Sequence, residues 1–355
     1  MSETVYFLPV GESDDKELAG RMAEAIRQVK LFEGIEEKDL VAVKTHFGES
    51  DKSGYPRPVF LKNLGDLVKE RGGLPFLTES STLYRGNRTN AVTHLHHAEN
   101  QGFTLEATGM PVIMADGLFG DNEVPVEIKG KLYSSINVAA EIPKAQWLVV
   151  MTHFTGHMIS GYGGALKNLG MGCTSRRAKM IQHSTAKPTI NRKACTLCGE
   201  CERWCPTGAI TLDEESAVID HKVCIGCGQC LAVCRFDAVK YNWKATYDDL
   251  QKKITEHAMG VVEAVKGNAL FITLLTRISK DCDCLPDYEK ITEDIGLMIS
   301  RDPVAIDSAA LDMVEEKSGK LFSQMAFNIP YRVQVEYARE IGFGSPDYEV
   351  VELDV

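Results

Sequence analysis

Eight cysteines stand at spacings that bind iron. The stretches "CTLCGECERWCP" (195–206) and "CIGCGQCLAVCR" (224–235) both read CxxCxxCxxxC, the second repeating the first 29 positions later. Thiolate sulfur is a soft, negatively charged ligand, and two-residue gaps in tight turns let three sulfurs converge on one cubane. The fourth cysteine of each run lies too far along to close its own cluster and serves the other one. The spacing therefore predicts two 4Fe–4S clusters, one on Cys195, Cys198, Cys201 and Cys234, the other on Cys224, Cys227, Cys230 and Cys205. Zinc sites use pairs of CxxC, so this double triplet with trailing thiols points away from zinc.

The repeat extends beyond the cysteines. "TINRKAC" (189–195) parallels "VIDHKVC" (218–224), and "PTGAITLD" (206–213) parallels "RFDAVKYN" (235–242). The segment 188–242 thus resembles a bacterial-type two-cluster ferredoxin. Its first run ends Cys205-Pro206, as the ferredoxin pattern does, and its second ends Cys234-Arg235. A guanidinium beside a negatively charged cluster favours the reduced form, so the two clusters need not be equivalent.

Three further thiols, Cys173, Cys282 and Cys284, complete the eleven. The last two form "DCDC" (281–284) after an apolar run. In extended backbone, residues two apart point the same way, so both thiols face one site. Asp281 and Asp283 raise thiol pKa values unless a cation compensates, which makes an additional metal ion, with Cys173 or a histidine completing the set, one expectation and reactive or plain buried thiols the other.

A second group sits where apolar runs end: Lys44 and His46, Glu79 and Ser80, Asp116, and His153. In "THFTGHMISGYGGALKNLGMGC" (152–173), His153 and His157 lie four apart, which on a helix puts both on one face for metal ligation or proton transfer, although Gly156 between them leaves a loop open. Gly161, Gly163 and Gly164 lead to Lys167. A nucleotide loop has Gly before the lysine and Ser or Thr after, whereas Leu166 and Asn168 stand here, so triphosphate hydrolysis is not expected. Exposed amides before a lysine still suit a carboxylate or phosphate. "HLHH" (94–97) reads as a solvated helix face.

These groups need elements to position them. "TVYFLPV" (4–10), "LVAVKTHF" (40–47), "LPFLTE" (74–79), "MPVIMAD" (110–116), "QWLVVMTHF" (146–154) and "NALFITLLT" (268–276) read as buried strands. Helices are expected from Asp15, from Pro58, across 245–266 and from Pro303. Strands separated by helices predict an α/β domain, a mostly parallel sheet with helices on both faces. A small cluster module has no sheet to receive 268–276, so residues 1–187 and 243–355 are expected to form one discontinuous domain and 188–242 an insertion. In such sheets ligands bind beyond the carboxyl ends of the strands.

The 355 residues are 44% apolar, enough for two domains, and the net charge of −11 excludes a nucleic-acid partner. No export signal and no apolar run of about 18 residues is visible, so a soluble, cytoplasmic protein without membrane contact is expected. No GxGxxG opens a helix, so a nicotinamide or flavin dinucleotide is not expected.

Together "KTHFGE" (44–49), "TLYRGNR" (82–88), "ADGLFGD" (115–121), "GYGGALKNLGMG" (161–172), "CDC" (282–284) and "SRDPVAIDSAALD" (300–312) resemble the uncharacterised iron–sulfur centre proteins, domain of unknown function 362. The resemblance implies an α/β domain carrying a two-cluster ferredoxin, mostly in anaerobic prokaryotes, and brings no established reaction. Two readings follow from the residues. In the first, an oxidoreductase, electrons pass through the clusters to a substrate or second metal held by His46, His153, His157, Lys167 and Asn168. In the second, the chain is an electron carrier or metal-cofactor assembly factor that docks to a redox partner protein.

Overall fold

Aliphatic runs too apolar to face water on either side form the middle of a large sheet, and amphipathic helices cover it. The structure, a computed structural model, describes residues 2–50, 54–83, 86–183, 187–205, 207–224, 230, 233–236, 238–240, 247–285 and 288–355. Cys227 lies outside the described residues.

The chain begins β1 (Glu3–Pro9), α1 (Asp15–Gln28), β2 (Leu40–Lys44), α2 (Pro58–Glu70) and β3 (Leu74–Glu79). After α3 (Ala91–Asn100) and α4 (Leu105–Thr108) come β4 (Val112–Met114), the β5 (Glu123–Glu127) and β6 (Ser135–Ala139) hairpin, and the long β7 (Trp147–His157). A short β8 (Gly161–Gly163) folds back on β7 and leads into α5 (Ala165–Gly172) and α6 (Arg176–His183). Past the cysteine repeat the helix Tyr247–Ala264 returns the chain to the sheet through β13 (Ala269–Ser279) and β14 (Gly296–Ser300). The helices Pro303–Ser318 and Val333–Ile341 and the edge strand β15 (Tyr348–Glu352) follow.

The sheet runs β15-β1-β14-β13-β7-β2-β3-β4, parallel except for β14, which is antiparallel to both neighbours, and the β8 hairpin. Strands β7 and β13 lie at its centre and are paired from Ala269 opposite Leu148 to Leu274 opposite His153. Both are buried along nearly their whole length, as central parallel strands covered on both faces must be. One face packs against α1 and α2 through Leu18, Met22, Phe60 and Leu64. The other packs against α5 and the helices Tyr247–Ala264, Pro303–Ser318 and Val333–Ile341. Local signals set these helices: Asp14 accepts from the Glu17 amide at the start of α1 (2.9 Å), and Pro58 opens α2.

The described residues between Lys187 and Lys240 stand outside this sheet and build two small antiparallel ladders, β9 (Thr189–Ile190) with β12 (Val239–Lys240) and β10 (Ile210–Leu212) with β11 (Ala217–Ile219). The sequence repeat is also a repeat of hydrogen bonds. The Asn191 amide donates to Ala238 O (2.7 Å) and the Cys195 amide to Asn191 O (3.1 Å). Twenty-nine residues on, the Asp220 amide donates to Ala209 O (2.8 Å) and the Cys224 amide to Asp220 O (2.9 Å). Each half therefore pairs with the end of the other. The helix α7 (Glu200–Arg203) falls within the first cysteine run.

Candidate functional site

Cys195, Cys198, Cys201 and Cys234 line one hollow, partly open to solvent, together with Leu197, Leu212 and Val239. Leu197 and Gly199 adopt left-handed backbone (φ 57° and 75°), which tightens the turns between the first three thiols. Backbone amides aim at the sulfurs: Ala209 N–H at Cys205 Sγ (3.2 Å), Ala238 N–H at Cys234 Sγ (3.3 Å) and Ala217 N–H at Cys195 Sγ (3.4 Å). Burial works to raise the Cys205 pKa, but amides of Thr207, Ala209 and Ile210 together with the Thr207 hydroxyl outweigh it and hold the thiol below its ordinary value.

The strand ends of the main sheet gather the second group. Lys44, at the end of β2, is 1% exposed and pairs with Glu79 of the neighbouring β3 at 2.9 Å. Its ammonium also donates to Asn168 Oδ1 (2.8 Å) and Thr45 O (3.1 Å), so all three protons are used. Burial alone would push the Glu79 carboxyl up, yet Lys44, followed by His46 and His94, lowers its pKa to about 2. The Asn168 amide is held by Met151 O (3.2 Å) and Thr152 Oγ1 (3.0 Å) of β7, so its carboxamide is committed within the protein. Helix α5 approaches so closely that a Cβ on Gly172 would stand 2.6 Å from Lys44 Nζ.

His153 and His157 lie on a strand, not a helix. Their even spacing along β7 still puts them on one side. His153 is enclosed: Nδ1 faces the Asp283 oxygens at 2.9 and 3.1 Å, and Nε2 faces the carbonyls of Thr276 and Arg277 at 3.1 Å each. These acceptors come from a bulge in β13, where the pairing with β7 slips between Leu274 and Ser279 and Arg277 takes φ 56°. Gly54 lies against the ring, where a Cβ would come within 2.2 Å of Cε1. His157 accepts from the amides of Ile159 (3.2 Å) and Ser160 (3.0 Å) at Nδ1, and burial, with Lys167 nearby, lowers its pKa well below the ordinary value.

Cys282 and Cys284 do not lie in extended backbone. The Leu285 amide donates to Cys282 O (3.1 Å), closing a turn that sets the two thiols in electrostatic contact. That contact lowers the Cys284 pKa well below its ordinary value against the effect of burial, with Lys167 and His46 adding to it. The same contact, and then burial, raises Cys282 well above. The Lys167 ammonium is a cation whose field acts on both thiols. Burial would lower the Lys167 pKa, but Cys282, Cys284, Asp283 and Glu79 raise it. His46 Nε2 lies 3.7 Å from Cys284 Sγ and 2.7 Å from Arg88 Nη1, while its Nδ1 accepts from the Gly48 amide (2.9 Å). Arg88, 2% exposed, is tied to Glu49 at 2.7 and 2.9 Å. The charges that act on Cys173 are others, Lys44, Glu79 and Lys179, and burial raises its thiol to about 12. Among the described residues, no three His, Cys, Asp or Glu side chains are grouped to hold a single metal ion.

Two further expectations are corrected. The amides at the start of α5 are not open to an external anion, because Asp307 accepts from the Ala165 amide (2.7 Å) and the Leu166 amide (3.0 Å). A Cβ on Gly164 would stand 2.4 Å from that carboxylate, so the glycine admits Asp307. In "HLHH" only His96 faces solvent. His94 packs edge-on to Phe47 at 5.7 Å between centroids, and His97 Nε2 bonds Gly48 O at 2.8 Å. Arg88, Asp307 and Glu49 were missed as site residues. Each lies inside a stretch that carries the family resemblance, and none has a spacing signal of its own.

Fold and site define a largely parallel α/β protein with buried charged groups and thiols gathered at its strand ends. A family model described as a domain of unknown function, DUF362, matches residues 41–312, and the chain belongs to that family. No curated protein matches. Among solved structures, the lactate racemase apoprotein from Thermoanaerobacterium thermosaccharolyticum is similar at 11% identity and a TM-score of 0.42, over 77% of this chain and 51% of that one. A crystal structure of a protein from Thermotoga maritima is similar at 14% identity and a TM-score of 0.45, over 86% of this chain and 60% of that one. The chain thus spans less than two thirds of either. Among the described residues no helix is long and apolar enough to cross a membrane.

Proposed function

We propose that this chain is an iron–sulfur redox protein whose repeat, 188–242, holds two 4Fe–4S clusters and passes electrons to the strand-end crevice. The observation that carries the reading is the shared hollow: three cysteines of the first run and Cys234 of the second line one cavity. The donors fit the group. Thiolates ligate iron only when deprotonated, and amide hydrogen bonds at Cys205, Cys234 and Cys195 stabilise that charge. Cys195, Cys198, Cys201 and Cys234 would hold the first cluster; Cys205, Cys224, Cys227 and Cys230 the second. Such clusters supply one electron at a time.

The rest of the chain orients and neutralises. Lys167 places a positive charge beside the thiols of the 282–285 turn, and Arg88 fixes His46 against Cys284. The carrier or assembly reading is favoured by a different feature, the exposed Trp204 and Phe236 on the repeat, which offer a partner an aromatic surface.

Metal analysis of anaerobically purified protein tests the proposal. About eight irons with equal acid-labile sulfide are expected. Cys198→Ser should remove about half of the iron and the spectroscopic signal of one cluster. Iron well below one equivalent after anaerobic reconstitution of a folded sample overturns it.

A further inference from the structure

The turn Cys282–Leu285 carries two thiols that the cluster set does not use, and Cys284 Sγ lies 3.7 Å from His46 Nε2. We propose that Cys282 and Cys284 form a redox dithiol that closes to a disulfide and accepts two electrons, one from each cluster of the function proposed above, on which this inference rests.

Three observations carry it. The hydrogen bond from Leu285 to Cys282 O (3.1 Å) bends the chain into a turn, so the two sulfurs sit on one tight bend rather than along a strand. The two thiols are chemically unequal, as an attacking and a resolving thiol must be: Cys284 faces His46 Nε2 at 3.7 Å and feels the charge of Lys167. Both residues are half-buried rather than sealed in the core. The acidic neighbour Asp283 does not oppose the thiolate directly, because its carboxylate turns away to His153.

The electrons balance. Reduction breaks the Cys282–Cys284 bond with two electrons, which the two clusters would supply one each, and one proton from solvent ends on Cys282 Sγ, leaving Cys284 as thiolate. Cys284 then attacks an external disulfide, one of whose sulfurs leaves as a thiol after taking a proton. Cys282 gives up its proton and displaces the second, which restores the internal disulfide. The net reaction is disulfide plus two electrons and two protons to two thiols, so the substrate class is a small-molecule or protein disulfide.

The test uses the intact, anaerobically purified chain equilibrated in glutathione buffers of graded potential, then blocked with iodoacetamide. Trypsin releases residues 281–290 as one peptide bearing these two cysteines and no other. A form lighter by two hydrogens and free of alkylation is expected at oxidising potentials, giving way to a doubly alkylated form in a two-electron transition. Lys167→Met should slow alkylation of Cys284 in reduced protein at neutral pH by about tenfold or more, through loss of thiolate. A peptide that stays doubly alkylated at every potential in folded protein overturns the proposal. Iron is measured on the same samples: eight irons with no internal disulfide sinks the dithiol alone, and a disulfide in iron-free protein sinks the cluster reading instead.

Discussion

Lys44 shows how a single residue decides the character of the crevice. A buried ammonium is tolerable only when its partners are in place, and here Glu79, Asn168 and a backbone carbonyl surround it. Lys44→Met leaves Glu79 buried without its counter-charge, and a loss of about 3–5 kcal/mol in urea unfolding is expected. The double variant K44M/E79M removes both charges and should recover most of that loss; a single variant that costs under about 1 kcal/mol contradicts the assignment. The pH dependence has a definite sign. Because the folded-state pKa of Glu79 falls from 4.5 to about 2, its contribution is complete above pH 4.5 and drains away as the pH falls towards 2. The contribution amounts to about 3 kcal/mol, and Glu79→Gln should flatten the acid limb of the stability profile in that window.

At the scale of elements, α5 is fastened by a carboxylate from another helix. Asp307, on Pro303–Ser318, bonds the first two amides of α5, and burial raises its pKa to about 7 against those bonds. Asp307→Ala should leave two buried N–H groups unpaired and destabilise the protein by about 1–3 kcal/mol for each. The sign is opposite to that of Glu79. Between pH 3.8 and 7 the folded state holds a proton that the unfolded state has lost, so this carboxyl makes stability fall as pH rises through that window. Asp307→Asn, which keeps an acceptor oxygen, should remove this slope in a pH series of thermal unfolding at less cost than alanine. The strands that place Lys44, Glu79 and His153 were legible in the sequence because a buried parallel strand must be apolar along its length, and its polar ending then stands out. What closes on those endings was not legible. Asp283 reaches His153 from 130 positions away and Asp307 reaches α5 from 142, and no local pattern encodes such pairings. The 281–284 segment read as extended because alternation and a turn cannot be told apart over four residues, and "HLHH" read as solvated because polarity outweighed its helical position.

For the whole molecule, the order of strands in space differs from their order in the chain, and that difference dictates which pieces can be removed. Strand β13 comes after the cysteine repeat, yet it sits between β7 and β14 at the centre of the sheet, and β14 in turn joins β1. A chain ending at residue 242 would lack β13 and β14, leaving β7 with an open hydrophobic edge and β1 with no neighbour. Such a truncation should be insoluble or molten, because the cores on both sheet faces draw residues from β13. Excision of 188–242 is a different operation. Helix α6, which precedes the repeat, packs against Tyr247–Ala264, which follows it, so a short flexible linker joins elements that already touch. The excised protein should keep its helical circular dichroism and a single cooperative thermal transition while losing all iron. Loss of the cooperative transition in that protein, with the linker varied in length, would show that the repeat is needed for the sheet itself and is not an insertion into it.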